Sequence, residues 1–391
     1  MFLNRIKQEN IPLLETAFSL HQEGRVLPDS FVIDTDTLFE NAGKILAEAK
    51  KKNIRLYFML KQIGRNPYIA KRLTDMGFDG AVAVDFKEAQ VMMRHHIPIG
   101  NIGHLVQIPD AMIEQVVNYG PEVITVYSVE KAKRIADAAV KQRKEQKILL
   151  RVYDQGDLIY DGQTAGFAMA DLNHVLDILC RMPGIQVAGV TSFPCYLYDE
   201  KEECIKKTHN LSSVLRAVEV LNRRGIEAEI INTPSASCCE TIRHMHVDGG
   251  NCAEPGHGLT GTIPAHTANT MEEKICAVYV SEISHNFFGK AYCFGGGHYR
   301  RSHMERALVG RSLANAKEAD VQTPSMESID YHLGLDREFA VGDTAVMAFR
   351  FQAFVTRADV VLVKGISKSR PEIIGIYDSL GNEKKGSVGQ A

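Results

Sequence analysis

Two charged residues in this sequence lie where side chains could do chemistry. Lys61 ends the run RLYFMLK, in which five largely apolar residues follow an arginine, and Glu254 stands in the glycine-rich stretch AEPGHGLTGT (253–262). A lysine amine in a partly desolvated pocket has a lowered pKa, becomes nucleophilic and can form a Schiff base with a carbonyl. A lysine at a strand end can equally extend into solvent. Position alone leaves both interpretations of Lys61 open.

The elements that must position these residues alternate between apolar runs and helical patterns. After an amphipathic helix in TDTLFENAGKILAEAKKKNI, seven strand-like runs follow: LYFML, GAVAV, NIGHLV, EVITVY, KILLRVY, QVAGVTSF and AEIIN, and we expect an eighth near MHVDGG (245–250). Continuous apolar strands separated by helices indicate a parallel sheet covered on its faces. Eight such units predict an α/β fold, a (β/α)8 TIM barrel. The alternative, a doubly wound sheet, needs a Gly-rich turn after its first strand, and the chain has KQIGR there.

The pattern of apolar and polar residues changes at about Met271. Short alternating runs with intervening turn residues, such as ICAVYVSEIS, TAVMAFRF and DVVLVKG, predict a separate C-terminal β domain. We therefore expect an N-terminal segment (1–34) that pairs with the C-terminal domain, a barrel (35–270), the C-terminal β domain (271–380) and a disordered tail (381–391), since GNEKKGSVGQA is polar and Gly-rich.

Composition narrows the class of protein. The 391 residues are 45% hydrophobic and carry a formal charge of −3, so a large core is expected and nucleic acid is not an expected partner. The N-terminus lacks an apolar signal core, and no window offers about 18 uninterrupted apolar residues. We expect a cytoplasmic protein with no membrane partner. Its eight cysteines lack the spacing of a disulfide framework and are expected to be reduced.

The helix TDTLFENAGKI, the lysine after YFML, the segment NPYIAKRLTDMGFDGAVAVDFKEAQVM and the trailing β domain together carry a family signature. They resemble the alanine racemase family of pyridoxal phosphate (PLP) enzymes. This family, often called fold type III, also includes ornithine and diaminopimelate decarboxylases. The resemblance spans residues 30–370 and is most specific in the first third. It implies that Lys61 holds the cofactor through a Schiff base and acts as a catalytic base.

The stretch INTPSASCCETI is the expected cradle for the cofactor phosphate. Thr233 is predicted to N-cap the next helix with Pro234 in its first turn, which would turn amide groups and the hydroxyls of Ser235 and Ser237 toward an anion. The same residues also suit an ordinary helix start. In the family a serine of this segment contacts the phosphate, and Ser235 is the best match.

Glu254 is the most telling position within the resemblance. Alanine racemases typically have an arginine facing the pyridine nitrogen here, whereas the decarboxylases have Glu-Pro-Gly-Arg, and this chain has Glu254-Pro-Gly-His257. A carboxylate keeps that nitrogen protonated, which makes the ring a stronger electron sink for a carbanion at Cα. Gly256 and Gly258 allow the backbone to approach the phosphate closely. His257 is expected to replace the decarboxylase arginine in binding the cofactor.

Two further positions depart from the alanine racemase pattern. The second acid/base that racemization requires is a tyrosine in that family, but Phe294 stands in its place, in CFGGGHYRR. Cys293 is our candidate for this role because the decarboxylases use a cysteine in a comparable segment; Tyr292, His298 and Tyr299 are its alternatives. As an ordinary structural residue, Cys293 would be a small buried side chain. Phe193, after the sixth strand, is expected to stack on the cofactor where the family has a histidine.

We therefore predict a PLP-dependent racemase that acts at Cα of a free amino acid by a two-base mechanism, as a homodimer with its active site at the interface. A PLP-dependent decarboxylase or other α-carbon lyase is the alternative. Two other classes stay open: a non-catalytic PLP-binding protein, and a metal-dependent barrel hydrolase. The second would use the metal-ligand types His244, His246, Cys252 and His257, although His-x-His pairs normally open the first barrel strand. We expect no metal.

Overall fold

The computed structural model describes residues 2–384. The helices are α1 (Phe2–Glu9), α2 (Ile11–Gln22), α3 (Thr35–Lys52), α4 (Pro67–Met76), α5 (Phe86–Arg94), α6 (Ile113–Tyr119), α7 (Val129–Lys141), α8 (Leu172–Leu179), α9 (His209–Arg223), α10 (Cys239–Met245) and α11 (His257–Thr260). The first ten strands are β1 (Ser30–Asp34), β2 (Arg55–Phe58), β3 (Gly80–Ala83), β4 (Ile99–Ile102), β5 (Val123–Val126), β6 (Gln146–Tyr153), β7 (Phe167–Ala168), β8 (Ile185–Thr191), β9 (Tyr196–Asp199) and β10 (Cys204–Lys207). The other ten are β11 (Ile230–Asn232), β12 (Cys252–Ala253), β13 (Ala277–Phe287), β14 (Lys290–Phe294), β15 (Arg306–Gly310), β16 (Lys317–Gln322), β17 (His332–Leu335), β18 (Thr344–Met347), β19 (Asp359–Lys364) and β20 (Glu372–Tyr377).

These elements form two compact units. The barrel unit comprises Ile45–Leu60 and Pro67–Gly256. The β unit comprises the described parts of Met1–Lys44, Lys61–Asn66 and His257–Ala391. The chain thus passes from the barrel unit into the β unit at Lys61 and again at His257, two of the residues that the sequence analysis assigned to cofactor binding.

The barrel unit contains a closed parallel barrel. Its strands pair in the order β2, β3, β4, β5, β6, β8, β11 and β12, and β12 pairs back with β2. The strands are short and buried because helices cover the outside of a parallel barrel, so apolar residues occupy both faces. Gly100 on β4 is required by packing: a Cβ there would lie 2.1 Å from Cδ1 of the buried Tyr57. The predicted barrel is confirmed.

The β unit is built on antiparallel pairing. Strands β13, β14, β17, β16, β15 and β18 form a ring in that order, because β18 pairs with β13. The N-terminal strand β1 lies antiparallel to β13 and parallel to β19, and β20 follows β19 antiparallel. Buried apolar residues of α1 and α2 pack with residues of β1, β13, β18 and β19 in one core. The predicted C-terminal β domain is confirmed as part of the fold.

Two boundaries differ from the sequence predictions. The eighth barrel strand is Cys252–Ala253, whereas Met245 ends α10 and the residues after it form a turn in which the Asp248 amide donates to the His244 carbonyl at 3.0 Å. In the segment predicted to be a disordered tail, the amide of Lys384 donates to the carbonyl of Ile376 at 2.8 Å. Residues 385–391 of that segment lie outside the described residues.

Within residues 2–384, no helix is long and apolar enough to cross a lipid bilayer.

Candidate active site

Lys61 lies just beyond the first barrel strand. β2 ends at Phe58, and Lys61 opens a short 3-10 helix, Lys61–Ile63, with its side chain partly exposed. The connecting residues are fixed within the barrel unit, since the Met59 amide donates to the Pro255 carbonyl at 2.9 Å. The segment that precedes Lys61 is therefore hydrogen-bonded to the segment that carries Glu254.

Glu254 follows the last barrel strand and is buried inside the barrel unit. Its Oε1 accepts hydrogen bonds from Nδ2 of Asn232 at 2.8 Å and from Nδ2 of Asn101 at 3.2 Å. Nδ1 of His104 lies 3.6 Å from the same oxygen, which is within ion-pair range but too long for a hydrogen bond. Burial acts to raise the pKa of Glu254, but His104 and the two amides outweigh it, so the pKa is lowered and the carboxylate stays charged.

Two threonine hydroxyls orient the asparagines around Glu254. Thr125 on β5 donates to Oδ1 of Asn101 at 2.8 Å, which leaves the amide nitrogen of Asn101 to face the carboxylate. Nδ2 of Asn232 also donates to the hydroxyl of Thr191 at the end of β8, at 3.1 Å. The carboxylate is therefore held by residues from several barrel strands, and its orientation does not depend on a flexible loop.

Several polar atoms around this carboxylate are left without partners. Both amides donate to Oε1 of Glu254, which leaves Oε2 without a hydrogen bond among residues 2–384. In that same part of the chain, the buried hydroxyl of Tyr57 and Oδ1 of Asn232 have no hydrogen-bond partner. Buried polar groups are normally paired, so these atoms fit a polar ligand in the barrel interior. A pyridine nitrogen that donates to Oε2 would match this arrangement. The Thr233 hydroxyl also has no partner among residues 2–384, and it lies beside Gly250, where a Cβ would be 2.4 Å from it.

The loop after β11 differs from its prediction. Thr233 does not N-cap a helix, because α10 begins only at Cys239, and its N-cap residue is Cys238. Ser235 and Ala236 have φ values of 92° and 47°, in the left-handed region that non-glycine residues avoid. Such strain is typical of ligand-binding loops. Ser235 is partly exposed, whereas the hydroxyl of Ser237 accepts a hydrogen bond from the Glu254 amide at 3.2 Å.

Phe193 lies beside aromatic neighbours in the barrel unit. Its ring is 6.1 Å from the His104 ring in an edge-on arrangement and 6.0 Å from the Tyr160 ring. The loop that carries Tyr160 is attached to α9: Asn210 both accepts from the Leu158 amide at 3.0 Å and donates to the Leu158 carbonyl at 3.1 Å. Phe193 is thus positioned by two rings, and it is partly exposed.

His257 follows Gly256 and lies in the β unit. Its Nε2 accepts a hydrogen bond from Nε of Arg350 at 3.1 Å, and its Nδ1 is 2.8 Å from the hydroxyl of Thr262. Burial and the positive charges of Arg350, Lys61 and Arg301 hold its pKa well below the usual range, so the imidazole is neutral. Gly256 and Gly258 beside it are buried.

Cys293 is poorly suited to the role that we predicted for it. It lies inside β14, between its neighbours β13 and β17, and its side chain is fully buried. Burial raises the pKa of its thiol to about 11, with only partial opposition from the Ser281 hydroxyl. A thiol with that pKa stays protonated at neutral pH and is out of reach of a ligand in this conformation. The candidate metal ligands His244, His246 and Cys252 form no site, because residues 2–384 contain no cluster of three or more His, Cys, Asp or Glu that could hold a metal ion.

Sequence reasoning missed the residues that contact Glu254 and His257. Asn101 and Asn232 each lie in a buried strand, where a polar residue in an apolar run is unusual; that contrast was the available signal. His104 follows β4 closely and carried the same signal. Arg350 was not identifiable, because nothing in the sequence links it to His257, which is 93 positions away.

Comparison with known proteins agrees with this geometry. Residues 33–264 match the model of the alanine racemase N-terminal domain, and residues 278–373 match that of the YhfX-like C-terminal domain. The uncharacterized protein YhfX of Escherichia coli (strain K12) is 45% identical over 384 residues, 98% of this chain and 99% of the relative. A D-threonine aldolase from Filomicrobium marinum superposes with a TM-score of 0.70 at 15% identity, covering 91% of this chain and 96% of its own.

An alanine racemase of Clostridium difficile 630 superposes with a TM-score of 0.65 at 17% identity, over 91% of this chain and 99% of that one. At these identities the two solved structures establish the fold, not the reaction. The family match covers most of the barrel and confirms the resemblance that Lys61 and its flanking elements suggested. The chain belongs to the alanine racemase N-terminal domain family, whose enzymes depend on PLP.

Proposed function

We propose that this protein is a PLP-dependent enzyme that generates a carbanion at Cα of a free amino acid, and that the overall reaction is racemization. The observation that carries the proposal is Glu254, a buried carboxylate that His104 and two asparagine amides keep charged. When bound, the cofactor supplies an electron sink for the carbanion, and a protonated pyridine nitrogen strengthens that sink. Oε2 of Glu254 is the group that would accept the hydrogen bond from this nitrogen.

The other residues have separate roles in the proposal. Lys61 would hold the cofactor covalently, and its amine would remove or return the Cα proton on one face of the substrate. Thr233 and Ser235 would bind the cofactor phosphate, and Gly256 and Gly258 would allow close backbone approach to it. Ser237 supports Glu254 through its hydrogen bond to the Glu254 amide.

The remaining cofactor contacts would come from Phe193 and His257. Phe193 would pack on the cofactor ring. His257, whose Nε2 is occupied by Arg350, contributes to phosphate binding through its backbone rather than through a charged ring.

For the second acid/base, the structure favours Tyr299 over Cys293. The Tyr299 side chain is partly exposed, but its hydroxyl is buried and has no hydrogen bond of good geometry among residues 2–384. Burial, the largest effect, raises its pKa, while Arg350, Arg301 and the nearby Gln352 act to lower it. A phenol that keeps its proton at neutral pH can deliver that proton to a carbanion, which is what this position requires.

An α-carbon lyase, such as a decarboxylase, is the second candidate. The observation in its favour is again Glu254, because a ring kept protonated stabilises a carbanion however the carbanion was formed. Racemization and bond cleavage then differ in which bond to Cα breaks, and this depends on the substrate held above the ring. Product analysis separates the two reactions.

The first experiment is the visible absorption spectrum of purified, cofactor-supplied protein before and after borohydride, with the reduced adduct located by peptide mapping. We expect a band that borohydride removes, with the label on Lys61. Lys61→Ala should lose the band, whereas Lys71→Ala, a solvent-exposed lysine on α4, should keep it. A band that survives in Lys61→Ala, or a label on another lysine, refutes the assignment.

The reaction is identified next by incubating the enzyme with D- and L-amino acids. Appearance of the opposite enantiomer establishes a racemase, and carbon dioxide or an aldehyde product establishes a lyase. Removing a general base typically costs about 10²–10⁴-fold in rate, so Lys61→Ala should reduce turnover by at least that range. The homodimer and the cytoplasmic location remain predictions, and sedimentation of the purified protein tests the first of them.

A further inference from the structure

His104 is a buried histidine of the barrel unit with a ring nitrogen that nothing in the fold uses. The residue exposes 1% of its surface, yet neither ring nitrogen makes a hydrogen bond of good geometry among residues 2–384. Nδ1 lies 3.6 Å from Oε1 of Glu254, within ion-pair range, whereas Nε2 has no hydrogen-bond partner in that part of the chain. Buried polar groups are normally paired, so Nε2 is an open position for a ligand atom.

The surrounding residues fix the position of this imidazole. The backbone carbonyl of His104 accepts hydrogen bonds from the Tyr127 hydroxyl and, at 3.2 Å, from Nη1 of the buried Arg151. The His104 ring meets the Phe193 ring edge-on, with the ring centres 6.1 Å apart. His104 therefore lies beside both Glu254 and Phe193, the two residues of the barrel unit that would contact the cofactor ring under the proposed function.

The neighbouring carboxylate determines which nitrogen of His104 carries the proton. A carboxylate only accepts hydrogen bonds, so the proton of a neutral His104 is favoured on Nδ1, the nitrogen in ion-pair range of Glu254. Nε2 then carries a lone pair in the neutral ring and an N–H in the charged ring. An ionisable hydroxyl donates when neutral and accepts when ionised. Nε2 and such a hydroxyl therefore form a hydrogen bond with the shared proton on either atom.

The cofactor has one polar ring group without a partner in the proposed function. Its pyridine nitrogen is assigned to Glu254, its aldehyde to Lys61, and its phosphate to the 233–237 and 256–258 segments. The hydroxyl on the same ring as the pyridine nitrogen remains. This hydroxyl is a phenol, and it is ionisable.

Nε2 of His104 suits this hydroxyl better than the other unpartnered atoms near Glu254. The Tyr57 hydroxyl and Oδ1 of Asn232 also lack a hydrogen-bond partner within residues 2–384. Burial raises the pKa of the Tyr57 phenol, which therefore stays protonated, and an amide oxygen only accepts. Of the three groups, imidazole is the one that exchanges a proton near neutral pH.

We propose that Nε2 of His104 hydrogen-bonds the ring hydroxyl of the bound cofactor, which makes His104 a further binding residue of this site. The inference rests on the proposed function, because it concerns the same cofactor. Glu254 would then act on the cofactor in two ways: directly at the pyridine nitrogen, and indirectly by favouring the proton on Nδ1 of His104. The protein would thus recognise the hydroxyl of the ring as well as its nitrogen.

The test compares the cofactor with its deoxy analogue, in which a hydrogen atom replaces the ring hydroxyl. Equilibrium dialysis gives the dissociation constants of both for the native protein and for His104→Leu, which form a double-mutant cycle. We expect the preference for the cofactor over the analogue to be about 5–100-fold larger in the native protein than in His104→Leu, the range for one buried hydrogen bond. An effect of the substitution on Glu254 or on the fold weakens both ligands equally and cancels in the cycle.

Three further variants complete the test. His104→Gln retains a side-chain amide that can hydrogen-bond, so it should recover part of the preference. His174→Leu replaces an exposed histidine of α8 in the same unit and should keep all of it. Thermal unfolding of each cofactor-free variant checks its fold. His104→Phe, which keeps a ring beside Phe193 but no nitrogen, takes the place of His104→Leu in the cycle if the latter is unfolded.

Each alternative result has a definite meaning. The same preference in the native protein and in His104→Leu overturns the inference, because His104 would then act only through Glu254 or through the fold. Equal affinity of the native protein for the cofactor and its analogue also overturns it. A native protein that binds neither ligand and shows no visible band with the cofactor instead refutes the proposed function.

Discussion

Replacing Asn232 with alanine tests whether the barrel unit keeps Glu254 ionised. Asn232 makes the shorter of the two amide hydrogen bonds to Oε1, 2.8 Å against 3.2 Å for Asn101. Loss of a hydrogen bond to a buried charged group costs about 1.5–3 kcal/mol of folding free energy. In a domain of this size each kcal/mol lowers Tm by about 2–4 °C. We therefore expect Asn232→Ala to lower the Tm at neutral pH by about 3–12 °C.

The Tm difference between the native protein and Asn232→Ala should depend on pH. In the native protein the pKa of Glu254 is lowered, so its ionisation adds stability above its unfolded pKa of about 4.3, and this stability is lost as pH falls through the folded pKa. Without Asn232 the effect of burial meets less opposition, and the pKa of Glu254 rises. The variant then gains stability relative to the native protein as the carboxyl takes up a proton. The Tm difference should be smaller at about pH 5 than at about pH 8.

Thermal unfolding of the cofactor-free protein across this pH range is the assay. Asn222→Ala on the exposed surface of α9 is the matched control and should change stability by less than about 0.5 kcal/mol. Repeating Asn232→Ala in a Glu254→Gln background isolates the contribution of the charge. An Asn232 effect that is equally large in both backgrounds, or constant with pH, would refute the argument that the amide stabilises an ionised carboxylate.

Two further predictions concern packing and titration elsewhere in the chain. Gly100→Ala should destabilise the barrel by about 1–3 kcal/mol, because its Cβ would lie 2.1 Å from the Tyr57 ring. In a Tyr57→Leu background most of that cost should disappear. If thermal unfolding shows the same loss of stability in both backgrounds, the clash with Tyr57 is not its cause. Burial raises the pKa of Asp29 to about 6, against the opposing effects of Tyr279 and Arg357, so this group makes stability fall as pH rises from about 3.9 to about 6. Asp29→Asn should therefore raise Tm above about pH 6 and flatten its pH profile, and an unchanged profile would exclude this titration.

The sequence predicted the barrel well because parallel strands leave a strong pattern. β3, β4 and β5 are buried along their whole length, and buried parallel strands appear as continuous apolar runs. The eighth strand was misplaced because a strand of two residues, Cys252–Ala253, has no periodicity to detect. Its pairing with β2 depends on closure of the barrel, a long-range constraint that a local pattern does not contain.

The candidate site was predictable only where a residue type carried its own chemical signal. Lys61 stood out as a charge at the end of an apolar run, and Glu254 stood out through the resemblance of its Glu-Pro-Gly segment to that of the decarboxylases. The N-cap assigned to Thr233 was wrong because Thr-Pro-Ser suits a helix start, yet Ser235 and Ala236 adopt left-handed backbone conformations that local propensity disfavours. Cys293 was selected by resemblance, and its burial in β14 depends on tertiary pairing that resemblance did not specify.

The barrel interior is arranged at a cost to stability, and this cost argues for a ligand. A buried carboxylate is expensive to desolvate, and apolar replacements of buried charges are often more stable. Next to Glu254 the barrel also keeps Oδ1 of Asn232 and the buried hydroxyl of Tyr57, which have no partner among residues 2–384 and cost about 1–3 kcal/mol each when left unpaired. Folding alone does not favour a charge and two unpaired polar atoms in one interior. A bound polar molecule that accepts from the Tyr57 hydroxyl and donates to Glu254 would recover part of that free energy, so we interpret this group of residues as a binding site and not as a structural network.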